Sequence, residues 1–63
     1  MNSFGNKLKS IREKKGMTQA ELSKKSGITE TSLSRYENDL REPKAVVVMR
    51  LAVALKCDIK DLL

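Results

Sequence analysis

The sequence contains no histidine or tryptophan, and only one cysteine, one proline and two aromatic side chains among its 63 residues. Without histidine, and with a lone cysteine, the chain cannot form a zinc-finger ligand set, a Cys–His catalytic pair or an internal disulfide framework. No apolar run exceeds five residues, the length of Ala45 to Met49, so no segment is long enough to cross a bilayer. The first residues also lack the apolar core of a secretory signal. We therefore expect a soluble cytoplasmic protein that binds no metal and no cofactor.

Positive charge is concentrated in the first part of the chain. Residues 1–25 carry seven lysines and arginines against two glutamates, whereas residues 26–63 carry six side chains of each sign. A concentrated positive field on a small protein favours a polyanionic partner, and nucleic acid is the first candidate. A chain of this size buries only about 60% of its unfolded surface, which leaves little room for a catalytic cleft. Charge and size together favour a nucleic-acid-binding module over an enzyme.

Glycine positions and apolar spacing predict two helices in the first half of the chain. The first covers residues 4–15, ends before Gly16, and has an apolar stripe at helical spacing made of Phe4, Leu8 and Ile11. The second begins at Thr18, which forms a capping-box pattern with Glu21. It is two turns long at most and ends before Gly27, a residue suited to a left-handed helix terminus.

Two further helices and a final turn are predicted in the second half. A third helix begins at the N-cap Thr29, and one of its faces carries Leu33, Tyr36 and Glu37. A fourth is predicted from Pro43 to Lys56, with a core stripe made of Ala45, Val48, Met49, Ala52 and Leu55. Asp58 then caps a final turn over residues 59–63.

Two short helices joined by a turn with glycine form a helix-turn-helix arrangement. Five stretches in order carry a wider resemblance: Leu8-Lys9-Ser10-Ile11-Arg12, Gly16-Met17-Thr18-Gln19-Ala20-Glu21-Leu22, Ser26-Gly27-Ile28, Leu33-Ser34-Arg35-Tyr36-Glu37-Asn38 and Leu51-Ala52-Val53-Ala54-Leu55. From about Phe4 to Leu63 the chain resembles the DNA-binding domain of the phage repressor and Cro-like family of the XRE type. The resemblance implies an all-α fold, a compact five-helix bundle of the lambda-repressor-like kind, with residues 1–63 as one DNA-binding domain. It also implies that the helix from Thr29 to Asn38 lies in the major groove.

The resemblance divides the expected DNA contacts into two sets. Phosphate contacts are expected at the start of the second helix and around the start of the fourth, from Thr18, Gln19, Arg41 and Lys44. Base reading is expected from Thr29, Glu30, Thr31, Ser32 and Arg35. The fork of Arg35 fits guanine O6 and N7, and Glu30 can accept from the cytosine amino group. Two simpler interpretations stay open: Glu30 complements the helix dipole, and Arg35 is a solvated surface charge.

The family resembled often carries a charged pair that joins the first helix to the recognition helix. Here that pair is Arg12 and Glu37, and its expected role is structural, because removing one partner strands the other charge. In the family resembled, the dimer contact lies near the end of the fourth helix and the turn after it, which in this sequence points to Ile59 and Lys60. Cys57 stands at a position that is usually a core aliphatic, and we expect a buried, inert thiol.

Val46 and Val47 occupy positions of the fourth helix that are often polar in the family. If both are exposed, they form an apolar patch of the kind that marks a partner surface. Burial against Phe4 and the first turn of the chain is the equally weighted alternative.

The sequence therefore predicts a sequence-specific regulator of transcription that binds double-stranded DNA, a repressor of prokaryotic or phage origin associated with the nucleoid. It is expected to bind a palindromic operator as a homodimer, on half-sites ~34 Å apart. The alternative is a protein-interaction module of the same fold, an antitoxin or a polymerase-contacting activator, that uses Val46, Val47, Asp39 and Glu42. The salt dependence of binding separates the two alternatives. Binding to DNA should weaken steeply as salt rises, because it releases counterions, whereas binding to an apolar partner surface should barely respond. Whether the chain is complete or part of a longer regulator stays open.

Overall fold

The computed structural model describes residues 3–63, in which four α-helices are followed by a short 3-10 turn. The elements are α1 (Phe4–Lys14), α2 (Gln19–Ser26), α3 (Glu30–Glu37), α4 (Ala45–Leu55) and the 3-10 turn (Ile59–Asp61). None of the four helices is long and apolar enough to cross a membrane.

The first three helices begin where a side-chain oxygen accepts a bond from the first turn. Ser3 caps α1, Thr18 caps α2 and Thr29 caps α3. After the C-terminal ends of α1 and α2, Gly16 and Gly27 adopt positive φ angles of 71° and 75°, which glycine does without steric cost. These local signals are the ones that the sequence carries, so the predicted starts and stops of α1 to α3 lie within one residue of those observed.

The expected five-helix bundle is wrong, because residues 3–63 form four α-helices. The fifth element is a three-residue 3-10 turn, closed by bonds from the Asp61 amide to the Asp58 carbonyl and from the Leu62 amide to the Ile59 carbonyl. Each of these bonds spans three residues rather than four, so the segment never completes an α-helical turn. Asp58 is the N-cap residue of this turn, as expected, and its backbone amide donates to the Asp61 carboxylate at 3.2 Å.

Leucines form the centre of the core. The fully buried side chains come from all four helices and the last turn: Leu8, Leu22, Leu33, Leu51, Leu55 and Leu62. Helix α1 packs mainly against α3, and α2 packs against both α3 and α4. Helix α3 is thus held between α1 and α2, which fixes the direction of its remaining, exposed face.

The buried face of α4 agrees with the predicted core stripe at Val48, Ala52 and Leu55 and differs from it elsewhere. Its buried residues are Val48, Leu51, Ala52, Ala54 and Leu55. Met49 and Ala45, both expected in the core, are exposed, Met49 by 56%. The helix also begins later than predicted, at Ala45 with Lys44 as N-cap, so Pro43 precedes it. Since α4 is apolar on nearly every side, apolar spacing alone could not decide which face meets α2.

A pair of hydrogen bonds joins the C-terminal end of α3 to the start of α1. Asp39, just after α3, accepts bonds from the Ser3 hydroxyl at 2.7 Å and from the Gly5 amide at 3.1 Å. A Cβ at Gly5 would lie 2.4 Å from the Tyr36 carbonyl oxygen. The start of α1 therefore lies directly against the end of α3, and only glycine fits there.

Candidate nucleic-acid interface

The turn between α2 and α3 is fixed by its own hydrogen bonds. The buried Ser26 hydroxyl donates to the Leu22 carbonyl at 2.7 Å and accepts from the Ile28 amide at 3.2 Å. The Gly27 amide donates to the Ser23 carbonyl at 2.9 Å, and Ile28 is buried within the turn. With its polar groups paired and its one large side chain in the core, the turn holds α2 and α3 at a set angle.

Arg12 of α1 and Glu37 of α3 form a bidentate ion pair that joins α1 to the end of the helix-turn-helix formed by α2 and α3. Arg12 Nε lies 2.7 Å from Glu37 Oε2, and Nη2 donates to Oε1 at 3.0 Å. The side chains are only 10% and 4% exposed, and Nη1 donates to the Met17 carbonyl. The hydrogen bond to Glu37 raises the pKa of Arg12 above its ordinary value despite burial. The pair links α1, the start of α2 and the end of α3.

Gln19, an expected phosphate ligand, belongs to the same network. Its Nε2 donates to Glu37 Oε1 at 3.1 Å, and its side chain is half-buried. This contact joins residues eighteen positions apart, and nothing in the local sequence indicates it. The first residue of α2 is thereby oriented by the last residue of α3.

Thr18, the other expected phosphate ligand at this helix start, is exposed and occupied by the capping box. Its hydroxyl accepts from the Glu21 amide at 3.1 Å, and its own amide donates to the Glu21 carboxylate at 3.0 Å. That amide bond lowers the pKa of Glu21 below its ordinary value. An anion at this helix start would therefore meet the amides of Gln19 and Ala20.

The five residues expected to read bases all lie on the outward side of α3. Thr29, Glu30, Thr31 and Arg35 are exposed, and Ser32 is half-buried. Two polar side chains near the start of α3 each contact Ser32: the Thr29 hydroxyl donates to Ser32 Oγ at 3.0 Å, and Arg41 Nη1 donates to the same oxygen at 3.4 Å. Together these exposed and half-buried side chains form the polar face of α3.

Arg41 and Lys44, the second expected phosphate pair, lie on the loop that leads from α3 to α4. Both are exposed, and Lys44 is the N-cap of α4 without a side-chain cap bond. The contact with Ser32 brings Arg41 back over the beginning of α3. This loop residue thus joins the polar face that sequence reasoning assigned to α3 alone.

The expected dimer residues and the single thiol lie at the end of the chain. Ile59 is 41% exposed and Lys60 is exposed, both on the 3-10 turn. Cys57 is half-buried rather than buried, and burial, followed by the charge of Asp61, raises its pKa. No group of three or more potential metal ligands is found among residues 3–63.

The two valines of α4 behave differently from each other. Val46 is 53% exposed, whereas Val47 is half-buried against the core. Met49 and Val53 are more exposed still, at 56% and 78%, although the apolar spacing predicts Met49 in the core. Asp39, an expected partner contact, instead accepts the two bonds from the start of α1.

Comparison with known proteins agrees with this geometry. A family model described as "Helix-turn-helix" matches residues 8–62. The HTH-type transcriptional repressor RghR of Bacillus subtilis is 38% identical over 64 residues, covering 100% of this chain and 47% of that protein. The HTH-type transcriptional regulator ImmR of the same organism is 40% identical over 50 residues, covering 79% and 39%. The chain thus spans less than half the length of these relatives.

Two solved structures are also similar. The restriction-modification controller protein C.AhdI from Aeromonas hydrophila superposes with a TM-score of 0.92 at 30% identity, covering 95% of this chain and 91% of that one. The P22 c2 repressor, solved in complex with a synthetic operator, gives a TM-score of 0.90 at 28% identity, covering 100% and 96%.

Proposed function

Because the chain belongs to the XRE-type helix-turn-helix family, whose relatives here are transcriptional regulators, we propose that it is a repressor that reads double-stranded DNA in a sequence-specific manner with α3 in the major groove. The observation that carries the proposal is the outward polar face of α3, on a helix whose angle is fixed by the Arg12–Glu37 pair. A rigid helix with exposed polar side chains satisfies the first requirement for reading base edges.

Arg35 and Glu30 carry the base discrimination. Arg35 is exposed in the last turn of α3 and matches guanine O6 and N7 with its fork, while Glu30 accepts from the cytosine amino group. Thr29, Thr31 and Ser32 are short hydroxyl side chains that reach adjacent bases, and the threonine methyl groups can contact thymine methyl groups. The proposal therefore assigns G·C pairs to each half-site.

Phosphates on either side of the groove set the register. One is bound at the start of α2, by the amides of Gln19 and Ala20 and by the Gln19 side chain, with Thr18 beside it. The other is bound by Arg41 and Lys44. Glu37 is a positioning residue for the phosphate site at the start of α2, because it accepts a hydrogen bond from the side-chain amide of Gln19 and so orients that side chain.

Two copies bind a palindromic operator, since one module of this size offers few contacts. Ile59 and Lys60 on the exposed 3-10 turn form the contact between them, with half-sites ~34 Å apart along one face of the duplex. The similar P22 c2 repressor was solved in complex with a synthetic operator, which supports an operator as the target of this chain. On this proposal the protein acts on the nucleoid, in the cytoplasm.

The test of base reading is Arg35→Ala, with Arg50→Ala as the matched control on α4. For the preferred duplex, Arg35→Ala should reduce discrimination at one base pair by about 5- to 150-fold, equivalent to ~1–3 kcal/mol, and leave the other positions unchanged. Arg50→Ala should leave the discrimination unaltered. If Arg35→Ala weakens binding to all duplexes equally, Arg35 does not read a base.

A further inference from the structure

Helix α3 ends in a Schellman motif that has an aspartate where glycine is usual. The Asp39 amide donates to the Tyr36 carbonyl at 3.1 Å. The Leu40 amide donates to the Arg35 carbonyl at 2.8 Å, which completes the motif. Asp39 takes its left-handed position, with a φ of 57°, which carries a steric cost that glycine avoids. Glycine would therefore suit the backbone better, and the role of Asp39 lies in its carboxylate.

The carboxylate of Asp39 bonds to the first turn of α1. One oxygen accepts from the Ser3 hydroxyl at 2.7 Å and the other from the Gly5 amide at 3.1 Å. The first turn of α1 has no acidic residue of its own, so Asp39 supplies the negative charge that a helix start favours. Beside these bonds, the ring of Phe4 packs edge-on against Tyr36, with 6.3 Å between the ring centroids. Polar and aromatic contacts together thus join the start of α1 to the end of α3.

The α3–α4 loop, residues 40–44, starts at this junction and carries the second proposed phosphate site. Arg41 follows Asp39 by two residues, and Lys44 is the N-cap of α4. The loop and the start of α1 together line one shallow groove, formed by Ser3, Phe4, Asp39, Arg41, Glu42 and Pro43. Among the residues that the structure describes, the 3.4 Å contact of the exposed Arg41 with Ser32 is the only side-chain hydrogen bond of the loop itself. The position of the loop therefore depends mainly on the bonds of Asp39.

We propose that Asp39 is a positioning residue for DNA binding: through its bonds to the start of α1, it holds the α3–α4 loop so that Arg41 and Lys44 are already in place for a phosphate. The inference rests on the proposed function and extends it, because it assigns a favourable effect on DNA affinity to an acidic residue. Ordering a long side chain during binding lowers affinity, and a loop that is ordered beforehand avoids this loss. Charge alone predicts the opposite effect, since a carboxylate near a phosphate site repels DNA.

Three variants that each remove one negative charge separate position from charge. Asp39→Gly removes both acceptor oxygens, while glycine keeps the φ of 57° without steric cost. Asp39→Asn is the conservative variant, because its side-chain oxygen can accept from the Gly5 amide and its amide group can donate to the Ser3 hydroxyl oxygen. Glu42→Gln is the matched control, at an exposed glutamate of the same loop that has no side-chain hydrogen bond to residues 3–63.

Fluorescence anisotropy with a random-sequence duplex at ~50 mM salt measures phosphate binding without requiring that the protein read an operator. Asp39→Gly should bind about 3- to 10-fold more weakly than the wild type, whereas Asp39→Asn and Glu42→Gln should bind at least as tightly as the wild type. Ser3→Ala removes one of the two bonds and leaves the charge of Asp39, and it should bind about 2- to 3-fold more weakly. Far-UV circular dichroism at the assay temperature restricts the comparison to folded proteins.

Nuclear magnetic resonance relaxation of the free proteins tests the order of the loop without DNA. The backbone order parameters of Arg41 and Glu42 should lie near ~0.85 in the wild type and in Asp39→Asn, as in rigid backbone. In Asp39→Gly they should fall toward ~0.6, as in flexible backbone.

Two results would overturn the inference and leave the proposed function intact. One is Asp39→Gly binding as tightly as Asp39→Asn, because Asp39 would then act through its charge alone. The other is an unchanged set of order parameters in Asp39→Gly, because other contacts would then hold the loop. If Asp39→Gly is unfolded, Ser3→Ala decides, and wild-type affinity in that variant would overturn the inference. A wild-type protein that binds no duplex would instead contradict the proposed function, and this inference with it.

Discussion

Removing the carboxylate of Glu37 is expected to destabilise the domain severely. The structure gives the reason: the Arg12 guanidinium makes two bonds to Glu37, at 2.7 and 3.0 Å, and is only 10% exposed. In Glu37→Ala it would keep the Met17 carbonyl but lose its counter-charge in a site that water reaches poorly. Breaking a buried pair in this way costs about 3–5 kcal/mol.

That loss is large compared with the whole stability of the domain. At ~0.05–0.15 kcal/mol per residue, a chain of this length has a free energy of unfolding of about 3–9 kcal/mol. Urea unfolding followed by far-UV circular dichroism measures the change. With a denaturant slope of ~1 kcal/mol per molar, the midpoint should fall by ~3 M or more, or the variant should be unfolded without urea.

Two variants isolate the cause. Glu42→Ala removes an exposed glutamate and should change the free energy of unfolding by less than ~0.5 kcal/mol. The double variant Arg12→Met/Glu37→Leu removes both charges and should regain most of the stability lost in Glu37→Ala. A loss below ~1 kcal/mol in Glu37→Ala would refute the reasoning, because an exposed pair costs no more than that.

Four further predictions concern single positions. Gly5→Ala should lose about 1–3 kcal/mol in urea unfolding, because its Cβ would overlap the Tyr36 carbonyl; an unchanged midpoint would contradict the close packing of α1 on α3. Thr18→Ala should cost ~1 kcal/mol by uncapping α2. Because the pKa of Glu21 is lowered in the folded protein, its contribution to stability is complete above the ordinary glutamate pKa and is lost as pH falls through the lowered pKa. An NMR titration of Glu21 with a midpoint at or above the ordinary pKa would contradict this. Cys57, whose pKa is raised by burial, should react with a disulfide reagent at pH 7 more slowly than free cysteine, and faster as pH rises; equal rates would contradict this.

The parts of the fold that sequence reasoning predicted are those with local signals. The capping box at Thr18 and Glu21 and the positive φ angles of Gly16 and Gly27 each depend on a few neighbouring residues. The periodic apolar residues of α1 and α3 also define one face each. Where the signal is local and strong, elements and their ends can be read from the chain alone.

The rest depends on contacts between distant residues. Helix α4 is apolar on nearly all sides, so only its packing on α2 decides that Leu51 is buried and Met49 exposed. The bonds from Gln19 to Glu37 and from Gly5 to Asp39 span eighteen and thirty-four residues. The final segment begins at Asp58, but its backbone hydrogen bonds span three residues rather than four, so it does not form the fifth helix that the family resemblance implied.

The central claim, that α3 reads base pairs, is tested most directly by selection from a pool of random duplexes at moderate salt, followed by sequencing of the bound fraction. We predict enrichment of an inverted repeat with G·C pairs in each arm, spaced by about one helical turn. Absence of enrichment, together with binding that disappears as salt rises, would contradict the claim: the positive charge would then attract DNA without reading it.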